Sequence, residues 1–389
     1  MQDQENLSEI KIQDQKIMEN SELSILEALI PIVILVGMLA YNVFIFGDDS
    51  LSGTNQFILL MGGAVAAIVG FRNKVSFSRM MDEVAENVKS TSSALFILLM
   101  VGALAGTWLV SGIIPTMIYY GLQILNPTIF LPACLIICAV ISIATGSSWT
   151  TSATVGIALI GIAGALDISL GMTAGAVLSG AYFGDKMSPM SDTTNLAPAM
   201  AGTDLFTHIR YMTITTVPTI VITIIIFSII SLNIDTSGDA DVSGLLNTIS
   251  NTFNISPYLF IVPLVVIILI VTKTKPLIAL GVGVLLAAIF AFIFQSEILN
   301  SLNDSSFKSI INAIFVDTEI TTDNEKLNEL FSAGGMKGML WTIYLILCAM
   351  VFGGIMDAIG VLARITNSLL KIATSVFGLF ASTVISCVG

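Results

Sequence analysis

The sequence predicts an all-α membrane protein that crosses the bilayer many times. Of its 389 residues, 55% are hydrophobic and only 11% are charged, whereas a soluble domain carries about 25% charged residues. The apolar residues form long runs, and most charged residues lie between them. A weak internal repeat and two polar interruptions add the expectation of an inverted-repeat architecture with broken or re-entrant helices.

Apolar runs follow one another from residue 25 to the end of the chain. They cover 25–46, 57–71, 92–110, 112–125, 129–144, 152–166, 170–184, 211–232, 257–272, 277–295 and 340–362, with a further run starting near 367. Because a spanning helix needs about 20 apolar residues, we expect the shorter runs to be half-spans or tilted pieces. Residues 1–24 are acidic and lack the basic region of a signal peptide, which predicts a cytoplasmic tail before a transmembrane domain over 25–389.

Lys and Arg residues set the expected orientation of the spans. Loop 72–89 holds four basic residues, 204–210 holds one and 273–276 holds two, whereas 47–56 and 233–256 hold none. Basic loops stay on the cytoplasmic side, and Asp and Glu weigh little in this rule. The first three segments are therefore expected inside and the last two outside, which also places the N-terminus in the cytoplasm.

Two stretches of the chain resemble each other and indicate an internal repeat. Phe96–Ile114 and Tyr344–Leu362 share a pattern of apolar and glycine positions, although two Gly-rich apolar helices can also look alike by chance. Within these stretches Gly106 matches Gly354 and Gly112 matches Gly360. Earlier in each copy, residues 62–68 match 281–289, and Phe77 matches Phe307. We expect a first copy over about 25–232 and a second over about 256–389.

Charge predicts that the two copies are inverted. Loop 72–89 of the first copy is basic, hence inside, whereas the matched loop 296–338 has seven acidic residues against three Lys, hence outside. Inverted repeats are common in secondary transporters, whose sites lie near the bilayer midplane. The second copy ends at Gly389, where the first copy is about to reach Thr145. We therefore expect the second repeat to be truncated.

The first polar interruption is a run of hydroxyls between two apolar half-spans. Seven of the ten residues in Thr145–Thr154 are Ser or Thr, and Gly146 breaks the run, as at the tip of a re-entrant hairpin. Hydroxyl oxygens and freed backbone carbonyls suit a hard cation. Mutual satisfaction of Ser and Thr inside helices is the alternative. The candidate ligands are Thr145, Ser147, Ser148, Thr150 and Thr151.

The second polar interruption, 180–204, carries charge in an otherwise apolar region. Ionisable groups at membrane depth are costly and mark ion or substrate paths, and here these groups are Asp185, Lys186 and Asp192. Backbone breaks are expected at Gly184, Pro189, Pro198 and Gly202. The neutral candidate ligands are Ser188, Ser191, Thr193, Thr194 and Asn195, and the Na+ ligands we expect are Asp192, Thr193, Thr194 and Asn195.

These carboxylates predict a way of coupling two ions. A buried carboxylate can hold a proton or Na+ but not both, and this competition is the simplest antiport mechanism. Lys186 could neutralise one carboxylate while the other titrates; a structural pair of Lys186 with Asp185 or Asp192 is the alternative. A third candidate, Asp357, is the single charge in its span, where the first copy has Leu109. Its alternative is a polar residue that faces the helix bundle.

Other functions fit the sequence less well. Nucleic-acid binding would need a basic stripe, and the net charge is −12. Asp185 and Asp192 could form an aspartyl protease dyad, but both lie in one broken segment, so an enzyme is not expected. Oxygen-lined breaks also build channel filters, although the repeat and the titratable carboxylates favour alternating access. No cofactor is expected beyond transported Na+ and H+, and self-association stays open.

Three segments resemble the NhaC-type sodium/proton antiporter family. They are Gly146–Ile162, Ala174–Ala199 and Gly202–Arg210, of which the middle one is the most specific. The resemblance, which extends from about residue 25 onward, implies a bacterial inner-membrane antiporter that exchanges Na+ for H+. The family also contains malate/lactate antiporters coupled to Na+ and H+, so a small organic acid is the alternative substrate. By resemblance, the polar positions of the motif are Asp185, Lys186, Asp192, Thr193, Thr194 and Asn195.

Overall fold

The computed structural model describes residues 23–370, apart from 52, 125, 202, 234–241 and 273, and these residues are almost entirely helical. The helices are α1 (Ile25–Phe46), α2 (Thr54–Arg72), α3 (Phe77–Val110), α4 (Ile113–Ile124), α5 (Phe130–Thr145), α6 (Ser148–Thr151), α7 (Ile157–Ala165), α8 (Leu170–Met187), α9 (Asp192–Ala201), α10 (Leu205–Leu232), α11 (Val242–Thr252), α12 (Ile261–Val271), α13 (Pro276–Phe294), α14 (Ser296–Leu302), α15 (Ser306–Phe315), α16 (Glu325–Leu330), α17 (Gly335–Gly338), α18 (Leu340–Ile359) and α19 (Val361–Leu370). Strands β1 (Thr318–Glu319) and β2 (Ser332–Ala333) form an antiparallel pair.

The helices confirm an all-α protein that crosses the membrane several times. In the part of the chain that the structure describes, eight helical segments are long and apolar enough to span. A ninth span results if Ser243–Thr252 and Pro257–Val271, which meet at 84°, count as one broken helix. Residues 1–22 of the acidic tail expected over 1–24 lie outside the described residues, and so does the chain after residue 370.

Helix α3 is longer than its apolar run predicts. It begins at Phe77, so most of the basic loop expected over 72–89 is helical. Charged side chains cover this first part, and Glu86 and Lys89 form an exposed ion pair at 3.2 Å. A polar helical extension of an apolar span continues the backbone hydrogen bonds into water, where its side chains are solvated.

The chain packs as two compact units, each of which is described by itself. Unit one comprises the residues up to Leu95 and those from Leu340 onward. In this unit α2 packs against both α1 and α18. The glycine at position 62 makes this possible, because a Cβ there would lie 2.9 Å from Leu35 of α1 and 3.4 Å from Phe352 of α18.

Unit two comprises Phe96–Met339. Its core includes the fully buried Trp108 and Phe130, and α5 packs along α8. The segment 296–338, expected as a loop, is folded in this unit: it carries the two strands, and Phe331 is buried with its ring 4.9 Å from that of Phe253.

The matched glycines of the two copies make equivalent contacts. A Cβ on Gly354 would lie 2.5 Å from the Cα of Val84, and a Cβ on Gly106 would overlap the carbonyl oxygen of Ala313. Val84 and Ala313 each lie seven residues after the start of a helix, α3 and α15 respectively. Helix α18 thus packs against the beginning of α3, and the end of α3 packs against α15.

Two further pairs of matched positions have similar surroundings or backbone angles. Leu104 and Phe352 occupy matched positions. A Cβ built on Gly283 would lie 3.0 Å from Leu104, and a Cβ built on Gly62, in the stretch matched to that of Gly283, would lie 3.4 Å from Phe352. Gly112 and Gly360 both end a helix with positive φ, at 76° and 78°. On the predicted repeat, each unit would combine residues of both copies. The repeat bounds and the opposite orientation of the copies stay predictions.

Candidate functional site

Helices α5 and α8 approach each other so closely that their backbones touch. A Cβ on Gly184 would lie 2.5 Å from the Cβ of Ser142 and 2.6 Å from the carbonyl oxygen of Ala139. The Ser142 hydroxyl donates to the carbonyl oxygen of Ala181 across this contact at 2.6 Å. The expectation that Gly184 breaks a helix is therefore wrong: it lies inside α8, where the absence of a side chain admits α5.

The first predicted break occurs where α5 ends. Gly146 follows Thr145 with φ +68°, in the left-handed region that glycine adopts readily. The Ser147 side chain then caps α6 by accepting a hydrogen bond from the Thr150 N–H at 3.2 Å. The chain continues through a π-helical turn, Ser152–Gly156, into α7. The break is thus confined to Gly146 and Ser147, and the hydroxyls from Ser148 onward lie in the helical segment that follows it.

The second predicted break lies between α8 and α9. Residues 188–191, including Pro189, are not helical. The Ser188 hydroxyl donates to the carbonyl oxygen of Ile143 in α5 at 2.7 Å. The break expected at Pro198 is not found, because Pro198 lies inside the helix α9. The break expected at Gly202 lies outside the described residues.

The two breaks meet. A Cβ on Gly146 would lie 2.7 Å from the carbonyl carbon of Met190, so the backbones of the breaks are in contact. The Ser148 hydroxyl donates to the Asp185 carboxylate at 2.9 Å. We refer to Thr145–Thr151 and Asp185–Asn195 together as the break centre.

The end of α8 is held within the break centre by Thr194. Its hydroxyl contacts the carbonyl oxygens of Asp185 and Lys186 at 3.0 and 3.1 Å. These carbonyls belong to the last turn of α8, where helical partners are lacking. The Asp185 carboxylate is therefore positioned by its own helix, by α9 and by Ser148.

Burial divides the predicted ligands into two groups. Buried members are Thr145, Ser148, Thr150, Thr151, Ser188, Ser191 and Thr194. Asp185 and Ser147 are half-buried, and Lys186, Thr193 and Asn195 are exposed. Among the described side chains, Asp185 pairs with Ser148 and not with Lys186. The backbone of Asp192 begins α9, and its side chain lies outside the described part of the structure.

Apart from Ser188, which donates to Ile143, the hydrogen-bonded hydroxyls of the break centre have partners inside it. Thr151 donates to the carbonyl oxygen of Ser147 at 2.9 Å, and Ser147 and Thr150 share a hydrogen bond at 3.0 Å. The Asn195 amide donates to the carbonyl oxygens of Pro189 and Ser191 at 2.8 and 2.7 Å. Because a hydroxyl that donates its proton keeps a free lone pair, these oxygens are oriented to receive a cation rather than an anion.

The remaining predicted carboxylate, Asp357, belongs to unit one. Its carboxylate accepts a hydrogen bond from the side-chain amide of Asn87 at 3.0 Å. Asn87 is not among the residues predicted from the sequence. Its signal was weak, since it is one polar residue in a polar helical extension and its partner lies 270 residues away.

Comparison with known proteins identifies antiporters. Residues 180–389 match the Na+/H+ antiporter family. The chain is 38% identical over 335 residues to a malate-2H(+)/Na(+)-lactate antiporter of Bacillus subtilis (strain 168), covering 85% of this chain and 69% of that protein. It is 37% identical over 325 residues to the Na(+)/H(+) antiporter NhaC of Alkalihalophilus pseudofirmus, covering 84% and 69%.

A more distant relative transports amino acids according to its name. The arginine/ornithine antiporter ArcD of Halobacterium salinarum is 32% identical over 369 residues, covering 93% of this chain and 73% of that protein. No solved structure matches the chain.

Proposed function

The chain belongs to the NhaC-type Na+/H+ antiporter family, and from this premise we propose that it is a transporter, not an enzyme, that exchanges Na+ for H+ across the bacterial inner membrane. One observation carries the proposal: the Asp185 carboxylate lies where two broken helices meet, bonded to Ser148. A carboxylate beside freed carbonyls and hydroxyls is a suitable site for a hard monovalent cation.

Exchange follows from competition at this carboxylate. When Na+ is bound, the negative charge of Asp185 is balanced by the cation; when Na+ leaves, a proton takes its place. Buried oxygens such as those of Ser148 and Thr151 can supply neutral ligands to Na+, whereas a proton needs none of them. Asp192 is the second carboxylate of the proposal, with Thr193, Thr194 and Asn195 following it in α9. Lys186, which is exposed, would tune the charge of the pair.

The second candidate is exchange coupled to a small organic acid, because the Bacillus subtilis relative is named a malate/lactate antiporter. A carboxylate substrate needs a cationic partner, and in the described part of the break centre Lys186 is the basic residue. Its exposed position is suited to a substrate that enters from water. The orientation of the hydroxyls toward a cation favours Na+/H+ exchange as the first candidate.

Vesicle transport separates the two candidates. The full chain is expressed, inside-out vesicles are acidified, and Na+ is added with and without malate or lactate. Alkalinisation of the lumen by Na+ alone supports Na+/H+ exchange. A response that requires the organic acid supports the second candidate, and no response in either condition rejects both.

The Ser148→Ala variant tests the polar bond to Asp185. We expect the Na+ concentration for half-maximal exchange to rise about tenfold, because a hydrogen bond to a charged group contributes about 1.5–3 kcal/mol. Ser179→Ala is the matched control, since the Ser179 hydroxyl only donates to Gly175 within α8. Equal Na+ dependence in both variants would remove Ser148 from the proposed site.

Sidedness follows from the proposed inversion of the repeats, with the N-terminus in the cytoplasm. Lys89 and Lys308 are exposed residues of α3 and α15, which belong to different copies on the predicted repeat. In a background without native cysteines, we expect a membrane-impermeant maleimide added to intact cells to label the Lys308→Cys variant and not the Lys89→Cys variant. Labelling of both from outside would contradict the inversion.

A further inference from the structure

The pair Asn87–Asp357 in unit one is a second ionisable position that the break centre does not include. We propose that Asp357, positioned by Asn87, binds and releases a proton during transport. The inference deepens the proposed Na+/H+ exchange and rests on it for its role in transport. On the predicted repeat the two residues come from different copies, Asp357 in α18 from the second copy and Asn87 in α3 from the first.

The position is costly for a charge. Asp357 is the single charged residue in the 20-residue apolar helix α18. Asp357 itself is half-buried, and Ile355, Met356 and Ile359, which lie next to it along α18, belong to the buried core of unit one. A carboxylate in such surroundings is rare without a partner or a function.

Two glycines of α18 allow Asn87 of α3 to approach the Asp357 carboxylate. Gly354 lets the backbone of α18 reach Val84 of α3, where a Cβ would lie 2.5 Å from the Val84 Cα. Gly353 faces the side chain of Asn87, whose amide nitrogen would lie 3.8 Å from a Cβ there. The Asn87 amide donates to Asp357 at 3.0 Å across this crossing.

The repeat supplies an internal comparison. At the matched crossing, the position of Asp357 is held by the buried Leu109. Asn87 lies ten residues after the start of α3, whereas α15 ends nine residues after its start, at Phe315, so its helix carries no counterpart of Asn87. The same helix crossing therefore forms without a polar pair. Packing does not require Asp357 and Asn87, which leaves a role in function.

The chemistry of an amide beside a carboxyl suits a proton. With the carboxylate charged, the Asn87 NH2 group donates to it, as observed. With the carboxyl protonated, rotation of the amide presents its oxygen as the acceptor for the new O–H. Both states are thus hydrogen-bonded. Na+ would need several oxygen ligands, whereas the hydrogen-bond partner of the Asp357 side chain among the described residues is the Asn87 amide.

Other charged groups lie on the helices of unit one and could affect proton binding at Asp357. Glu83, one turn before Asn87 on α3, is half-buried, and the Glu86–Lys89 pair is exposed. Arg72 at the end of α2 lies 3.6 Å from Glu27 of α1, and Arg364 is the basic residue of α19. None of the hydrogen bonds and ion pairs among the described side chains joins these groups to Asp357.

Carbodiimide labelling tests proton binding without a transport assay. Dicyclohexylcarbodiimide adds to protonated carboxyl groups in apolar surroundings, and peptide mass spectrometry locates the adduct. In the purified full chain we expect the adduct on Asp357, with a higher yield in acidic than in alkaline buffer. The Asp357→Asn variant, which lacks the carboxyl group, should show no adduct at this position. The water-exposed Glu86 is the control carboxyl group within the same protein. An Asp357 that stays unlabelled across the pH range would overturn the proposal.

Transport variants test the coupling. We expect Asp357→Asn to reduce Na+-driven proton movement about tenfold or more, and Glu86→Gln to leave it unchanged. Asp357→Leu reproduces the matched residue Leu109, so it keeps the fold and should lose exchange in the same way. Unchanged exchange in both Asp357 variants would overturn the role in coupling. If the unmodified protein shows no exchange at all, the proposed function fails, and the labelling result alone decides proton binding.

Asn87 is tested as a positioning residue. Asn87→Leu removes the donor to the carboxylate, and we expect the pH profile of Asp357 labelling to change, with a several-fold higher yield of the adduct in neutral buffer. Asn87→Ser keeps a short polar donor and should restore much of the original profile. A profile unchanged in Asn87→Leu would show that Asn87 only packs against α18.

Discussion

Replacement of Asp185 by Asn is expected to reduce Na+-driven proton movement about a hundredfold or more in a protein that still folds, since loss of a charged ligand costs about 3 kcal/mol. Asn keeps an oxygen that can accept the hydrogen bond from Ser148, which in the native protein is 2.9 Å long. The substitution therefore removes the charge and the titratable proton while it preserves the contact between the two breaks. Proton flux in inside-out vesicles, normalised to the amount of folded protein, measures the effect.

Two comparisons make this test specific. Asp204→Asn removes a carboxylate at the start of α10, where Asp204 caps the helix by accepting from the Thr207 N–H at 3.0 Å. Asn is an equally good cap, so exchange should stay near normal. Asp192→Asn, at the start of α9, should abolish exchange if both carboxylates couple the ions. Full exchange in Asp185→Asn would remove the break centre from the mechanism.

Replacement of Gly180 by Val is expected to prevent normal packing of α5 against α8. A Cβ on Gly180 would overlap the carbonyl oxygen of Leu135 and lie 3.0 Å from the backbone nitrogen of Ala139. Neither obstacle is a flexible side chain, so the helices must separate. Overpacking of a tight contact costs about 3 kcal/mol or more. We expect little folded protein by size-exclusion chromatography, or a strongly lowered unfolding temperature.

Gly175→Val on the same helix is the matched control. The nearest atom to a Cβ at this position is Cζ of Phe227, at 3.6 Å, an ordinary van der Waals distance. Both variants change helix propensity equally, so the difference between them reports the α5–α8 contact alone. Equal stability of the two proteins would contradict the close backbone approach and the geometry of the break centre with it.

Much of the site could be predicted from local chemistry. Gly146 and Pro189 mark the two breaks because one adopts positive φ and the other lacks an N–H. The hydroxyl run and the carboxylates could be recognised as polar groups in an apolar chain. Gly184 could not be interpreted in this way, because a glycine that breaks a helix and one that admits a neighbouring helix look the same in a sequence.

Contacts between residues far apart in the chain could not be predicted from the sequence. Ser148 and Asp185 are 37 residues apart, and Asn87 and Asp357 are 270 apart. Which hydroxyl meets which carboxylate depends on the depth and angle at which helices pack. The glycines at 184 and 354 set that depth, and their effect depends on the backbone opposite them.

The sequence by itself determined the class of the protein, its apolar spans, the two breaks and the match of Gly106 to Gly354, since each depends on local composition or spacing. Only the tertiary structure decided that the two breaks form one centre and that Asn87 lies beside Asp357. The physical reason is that membrane helices associate through close packing of small residues and a few hydrogen bonds, whose partners are chosen by contact in space and not by position along the chain.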